Sequence, residues 1–338
     1  MGMPIFSKGA LARLGILAGL LVIALIIGWI VMFRMPGSTF KGKLPALNDR
    51  EAALVDELRE IVATLADDIG ERNTIEFAQL ERAADFLERE LDDAGYTSER
   101  QRYDVDGQEV SNIIAELPGT RRKDEIIVIG AHYDTVPGCP GANDNATGVA
   151  ALVALARTFA DRRVARTLRF ACFVNEEPPY FQTERMGSLV YARSCQERGD
   201  NVVAMLSLET MGYYSDKAGS QRYPALVGIP YPSTGNFISF IGNVGSGSLV
   251  RKAVGTFRQQ NRFPSEGAAI PGFLGAGWSD NWSFAKVGYD ALMVTDTAPF
   301  RYPHYHRLTD TVDQIDFDRL ARVVAGLDDV ILQLSRGN

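Results

Sequence analysis

Histidine is scarce in this chain: His132, His304 and His306 are the only three among 338 residues. A site that needs imidazole therefore has few places to be, and the surroundings of each histidine carry weight. Cysteine is equally scarce. Cys139, Cys172 and Cys195 are too few and too scattered for a disulfide framework, and they read as free or buried thiols. Cys172, inside the apolar run LRFACFV, is a small buried hydrophobe on this reading. Positive charge is in deficit, with 35 Lys and Arg against 42 Asp and Glu and a net charge of −7. Binding to phosphate backbones needs a basic surface, so this balance argues against a nucleic-acid partner. No internal repeat or low-complexity tract is evident.

What is present begins with an ordinary globular balance, 46% hydrophobic and 23% charged residues, enough for a full core. One long hydrophobic run stands out. From Leu14 to Phe33, LGILAGLLVIALIIGWIVMF carries no charge between Arg13 and Arg34. Such a run spans roughly 30 Å as a helix, the thickness of a bilayer core. A cleavable signal peptide has a shorter apolar region and a small-x-small cleavage site, whereas RMPGSTFKGK follows here. The expectation is a short segment over 1–13, a retained transmembrane signal anchor over 14–33, a Pro- and Gly-bearing linker over 34–46, and one domain over 47–338.

Two helical patterns follow the linker, over 50–69 and 74–94, the second stopping at Gly95. Beyond it, SNIIAEL, EIIVIGA, LRFACFV, VVAMLSL, FISFIGN and ALMVT read as strands. Amphipathic stretches at 146–160, 187–198, 248–262 and 317–334 lie between or after them. Runs apolar on both faces and separated by helices imply a mostly parallel, mixed central sheet flanked by helices, a single three-layer α/β domain. Two long segments near 211–236 and 262–278, rich in Gly, Pro and Tyr, read as site-shaping loops. Tyr213, Tyr214, Tyr223 and Tyr231 suggest an aromatic-walled cleft there.

The strand ends carry the chemistry. EIIVIGA runs into His132-Tyr-Asp134, LRFACFV into Asn175-Glu176-Glu177, VVAMLSL into Glu209, and ALMVT into Asp296, with His306 shortly after. Asp144 stands just before the helix near Ala146. In a parallel sheet the strand C-termini face one crevice, so these acids and histidines are expected to meet where a metal would sit. Five ligands serve two zinc ions if Asp144 bridges: His132, Asp144 and Glu209 for one, Asp144, Glu177 and His306 for the other. Glu176 is then placed as general base and acid, and Asp134 to fix the His132 tautomer.

GAHYD, GANDNATG, NEEPPYF…MGS, LETMGYYSD, WSDNWSF and YHRLTDT together resemble metallopeptidase family 28, the co-catalytic dizinc aminopeptidases, over most of 110–316. The resemblance implies the same ligand set, Glu176 as general base and Asp134 as the acid behind the first histidine. It also implies that Tyr305 steadies the oxyanion. Two positions depart from the family pattern: Glu209 stands where aspartate is usual, and Asn143-Asp144-Asn145 where Asp-Asp-Asn is. The implied activity is zinc-dependent exopeptidase, most naturally aminopeptidase, acting on a peptide or small-molecule amide. Separately, a single N-terminal anchor on a hydrolase of secreted type leads to the expectation that the domain lies outside the cytoplasm. A glutaminyl cyclase-like or carboxypeptidase-like enzyme, or a non-catalytic binding domain on this fold, stays open.

Each residue taken alone has a plainer reading. His132 could be a core histidine, Asp144-Asn145 a helix cap, and Glu176-Glu177 a solvated turn before Pro178-Pro179. Glu209 and Asp280 meet the same objection. His304 reads as a loop histidine, and Asp296 and Asp310 as residues that fix loops.

Overall fold

The computed structural model describes residues 8–224 and 227–336; residues 1–7 of the N-terminal segment lie outside it. In chain order the elements are α1 (Lys8–Phe33), α2 (Asp49–Ala63), α3 (Phe77–Asp93), β1 (Glu99–Val105), β2 (Gln108–Leu117) and β3 (Arg122–His132). Then come α4 (Thr147–Phe159), β4 (Arg166–Phe173), α5 (Gly187–Arg198), β5 (Asn201–Glu209), β6 (Ile238–Gly242), α6 (Gly247–Gln260) and β7 (Ser265–Ala269). The chain closes with α7 (Asn281–Lys286), β8 (Ala291–Thr295), the single turn α8 (Ala298–Arg301) and α9 (Phe317–Arg336).

The eight strands form one sheet in the order β1-β2-β4-β3-β5-β8-β6-β7. Its centre, β4-β3-β5-β8, is parallel. The flanks are antiparallel at β1/β2, β2/β4 and β6/β8. The central runs are apolar throughout because both faces are covered. On one face lie α2, α3, α4, α6 and α9, and on the other α5 and α7. The larger core packs Leu58, Leu87, Val153, Leu206 and Leu327 beneath the first face, and the smaller packs Phe173, Tyr191, Met205 and Phe284 beneath the second.

Local signals explain the ends of elements. Asn48 Oδ1 accepts from the Glu51 amide while Glu51 Oε2 accepts from the Asn48 amide, each at 2.9 Å, a reciprocal cap that starts α2. Helix α9 buries Leu320, Val324, Leu327, Ile331 and Leu334 along one stripe. At the start of α4, a Cβ on Gly148 would lie 2.3 Å from both Asn145 Oδ1 and the Leu208 carbonyl. Only glycine lets that helix approach the end of β5 so closely.

Two expectations change. The segment near 262–278 contains β7, whose sequence SEGAA has none of the branched residues that mark a strand. Main-chain pairing to β6 makes it one, and its small side chains let α6 sit close. The edge of β7 is in turn covered by the chain that follows α1. The Ser265 amide donates to Thr39 Oγ1 at 2.9 Å, Arg258 Nη1 donates to the Pro36 carbonyl at 3.1 Å, and Met35 packs by Gly267. Farther on, Arg322 Nη2 donates to the Pro45 carbonyl at 2.6 Å. The stretch 34–46 is thus held against the domain. Helix α1 is long and apolar enough to cross a membrane: Ala12–Phe33 has a mean hydropathy of 2.9 and none of it is buried in the protein.

Candidate metal centre

The four parallel strands end side by side, and each end carries a polar residue into the crevice above. His132 closes β3, Glu176 and Glu177 follow β4, Glu209 closes β5, and Asp296 follows β8. Asp144 arrives from the irregular turn Ala142–Ala146 before α4, and His306 from the loop after α8. His132 Nε2 lies 3.2 Å from Glu209 Oε2 and 3.4 Å from Asp144 Oδ1. His306 Nε2 lies 3.2 Å from Asp144 Oδ2 and 3.3 Å from Glu177 Oε2. Asp144 thus offers one oxygen to each imidazole. Two donor triplets result, His132–Asp144–Glu209 and Asp144–Glu177–His306, with ligand atoms in each within 4.8 Å of one another. A third grouping joins His132 to Glu176 and Glu177; Glu176 Oε2 is 3.8 Å from His132 Nε2.

The donor set fits divalent cations. His132 Nε2 and Asp144 Oδ2 are buried without a hydrogen-bond partner among the described residues, a costly arrangement unless something else satisfies them. Protonation tells the same story. Burial pushes Glu177 up to about 8, with Asp144 adding to it, and holds Glu176 well above the usual carboxylate range, crowded by Glu177 and Glu209. Burial also raises Glu209. Burial opposes charge on His306, yet the facing carboxylates of Asp144 and Glu177 raise it to about 10. Burial opposes charge on Asp144 too, yet the two imidazoles facing its oxygens outweigh it and hold Asp144 alone of the cluster below its usual value. A cluster that retains this many protons is short of positive charge. Imidazole nitrogen and carboxylate oxygen are the donors zinc takes.

The surrounding bonds fix these groups. Asp134 Oδ1 and Oδ2 accept from the Glu176 and Glu177 amides at 3.0 and 3.1 Å, and Oδ1 lies 3.6 Å from His132 Nδ1. One carboxylate therefore orients a histidine and both glutamates. Asp134→Asn is expected to fold and to bind metal about 10–100-fold more weakly, read by competition with a chelator dye. Asp310 accepts from the Asn143 and Asp144 amides at 2.8 and 3.1 Å, and Asp296 from Asn143 Nδ2 at 3.0 Å, so both brace the Asp144 turn. Asp144 does not cap α4. The neighbouring Asn145 bonds the Gly148 and Thr210 amides through Oδ1 and the Leu208 carbonyl through Nδ2, joining the Asp144 turn to the end of β5. Asn175, Thr210 and His306 all have positive φ, and all adjoin or belong to the donor set.

Tyr305 stacks on His306 with ring centroids 3.9 Å apart. Burial, with Asp144 and Glu177 next, raises its pKa, so the phenol stays a donor. His304 bonds Thr309 Oγ1 at 2.8 Å and takes no part. Of the four loop tyrosines, Tyr223 and Tyr231 line the adjoining cavity. Tyr214 packs on Phe263 and Tyr213 on Tyr302, away from it.

Two contributors, Ser279 and Arg72, escape sequence reasoning, and a third, Asp280, meets it only as one more acidic residue. Ser279 Oγ donates to Glu209 Oε2 at 2.7 Å and aims it. Asp280, fully buried, has neither carboxylate oxygen hydrogen-bonded among the described residues, and burial pushes it up to about 7. Arg72 is buried without a carboxylate partner and donates to the carbonyls of Leu65, Gly70, Tyr133, Pro140 and Gly141 at 2.6–3.1 Å. It ties the loop after β3 to the turn before α3. Arg72→Met is expected to strand those carbonyls and lower unfolding stability by about 3 kcal/mol or more, read from the urea midpoint at unchanged slope. Nothing in the local sequence marks it. Ser279 and Asp280 lie in WSDNWSF, where only the motif gave a signal.

The family model described as peptidase family M28 matches residues 112–330, which hold every residue of this centre. The chain belongs to peptidase family M28. The uncharacterised protein YfbL of Escherichia coli is 30% identical over 80% of this chain and 86% of its own length. Leucine aminopeptidase 1 of Arthroderma otae is 27% identical over 64% of this chain, which spans 56% of that protein. The M28 fold also superposes on solved structures. A zinc aminopeptidase from Bacillus subtilis matches with a TM-score of 0.69 at 15% identity, over 84% of this chain and 95% of that one. A Bacteroides thetaiotaomicron glutaminyl cyclase matches with 0.63 at 18%, over 86% and 99%.

Proposed function

We propose that this M28 chain is a zinc-dependent exopeptidase, an aminopeptidase, holding two ions on His132, Asp144, Glu177, Glu209 and His306. The observation that carries the reading is Asp144, which presents its two oxygens to two donor triplets at once. Zinc in such a site supplies Lewis acidity, polarising a carbonyl and making water acidic near neutral pH. The chain's own residues do the rest. The Glu176 carboxylate takes a proton from the attacking water as its oxygen bonds the scissile carbonyl carbon. It then gives that proton to the departing amine nitrogen as the C–N bond breaks. The Tyr305 hydroxyl donates to the carbonyl oxygen as negative charge gathers there. Asp134 holds Glu176 in place by accepting the hydrogen bond that the Glu176 backbone amide donates.

The direct test is hydrolysis of aminoacyl 4-nitroanilides by the full chain with zinc, then after chelation, with metal counted per chain. Hydrolysis that survives chelation would sink the reading. The glutaminyl cyclase superposition supports a second reading, with one ion on Asp144, Glu177 and His306. A metal count near one, with pyroglutamate formed from Gln-peptides, would favour it.

We further propose that α1 is a retained signal anchor and that the catalytic domain over 47–338 lies outside the cytoplasm. The support is the stretch Leu14–Phe33 of α1, which carries no charge, in a helix apolar enough to cross a membrane. Protease added to intact cells is then expected to digest the domain, and digestion only after lysis would reverse the orientation.

A further inference from the structure

Beside the metal centre lies a cavity of about 750 Å³, counting its open mouth. It starts at Glu209 and Tyr305 and ends at Glu266 and Gly267. Glu209 closes β5 and Glu266 lies on β7, so the cavity crosses β8 and β6 to the sheet's edge. That is three strand spacings, about 14 Å. Between its ends the walls are apolar, with Phe237, Ile241, Ala268, Ile270, Met293 and Trp278 prominent. The one charge at the far end, Glu266, is paired with Arg258 Nη2 at 3.3 Å.

A terminal leucine would fill only the first part of such a cavity. The far part has a second property. Its wall residues Val227, Tyr231, Ile241, Ala268, Ile270 and Leu274 belong to one cluster against which Met32 and Phe33, the last residues of α1, pack from outside. Phe33 meets the Tyr231 ring edge-on at 6.0 Å, and Tyr231 stacks on Tyr223 at 5.7 Å. Tyr231 also donates to the Gly267 carbonyl at 2.7 Å. The helix long enough to span a bilayer thus ends on the back wall of the cavity.

We propose that this cavity takes the long apolar group of an amphiphilic peptide or amide held at the membrane surface, its amide bond reaching the metal centre, and that the foot of α1 shapes the cavity's far wall. The inference rests on the hydrolase reading above and names its substrate class. Phe33 is a positioning residue here, acting through Tyr231.

The test uses the full chain in nanodiscs with zinc and amino-acid 4-nitroanilides whose side chains grow from methyl to decyl. An extended alkyl chain of roughly ten carbons matches the cavity's length. Burying each methylene is expected to raise kcat/KM about threefold to fourfold, mostly through KM, with the rise continuing past about six carbons. Partitioning into the bilayer would favour long members in any variant, so Ala268→Phe, which obstructs the far part of the cavity at β7, and Phe33→Ala are run beside the wild type. Each is expected to retain the alanine member's kcat/KM, which also reports folding, and to lose at least about tenfold on the decyl member. A wild-type rise that ends by about six carbons overturns the proposal, as does a long-chain advantage equal in all three proteins. If no member is hydrolysed, the alanine one included, the hydrolase reading itself falls.

Discussion

Glu176→Gln is expected to lower kcat by about 10²–10⁴-fold, with KM nearly unchanged and the metal content intact. The carboxylate is buried, 5% exposed, among the proposed ligands but outside the two triplets sharing Asp144. Its backbone amide is held by Asp134 at 3.0 Å, and glutamine preserves that bond and the side-chain volume. Only the ability to take and return a proton is removed. Steady-state kinetics paired with metal analysis separates the possibilities. If activity stays within threefold of wild type, Glu176 moves no proton. If metal is lost, Glu176 is a ligand and the grouping His132–Glu176–Glu177 is the real one.

Asp144→Asn is expected to cost more. The carboxylate faces His132 Nε2 at 3.4 Å and His306 Nε2 at 3.2 Å with different oxygens, so one substitution weakens both triplets. Asparagine keeps the shape but loses the charge and half of the oxygen donors. Metal content is expected to fall from about two ions per chain to below one, with hydrolysis at background. Glu209→Gln supplies the contrast, because Glu209 belongs to one triplet alone. It is expected to lose about one ion and keep the other. Were the two variants to lose equal amounts of metal, Asp144 would not be shared. Elemental analysis after gel filtration reads both.

Much of this arrangement was legible from sequence because it depends on order along strands. EIIVIGA, VVAMLSL and ALMVT are apolar on both faces and fall within β3, β5 and β8. Once the strands are parallel, the residues at their ends share a crevice by topology. The convergence of His132, Glu177 and Glu209 needs no more than that. Other parts depend on contacts that have no period. Strand β7 is a strand because β6 pairs with it, and its composition hides this. Arg72 serves five carbonyls from loops that are distant in sequence, and a lone arginine carries no mark of such a duty. Ser279 aims Glu209 from a segment that sequence describes only as a loop. The tyrosines divide for the same reason: composition placed four aromatic rings near a cleft, and packing against Phe263 and Tyr302 drew two of them away.

With α1 as the anchor proposed above, the bonds that Thr39 and Pro36 accept from Ser265 of β7 and Arg258 of α6 would also decide how the domain searches. A catalytic body on a floppy tether would sample a hemisphere of solution, and its encounters would follow bulk concentration. Clasped this close to the foot of such an anchor, the domain would explore little beyond the lipid headgroups. Its turnover in cells would then track how many molecules lie on each patch of bilayer, and diluting the surrounding medium would leave the rate nearly untouched.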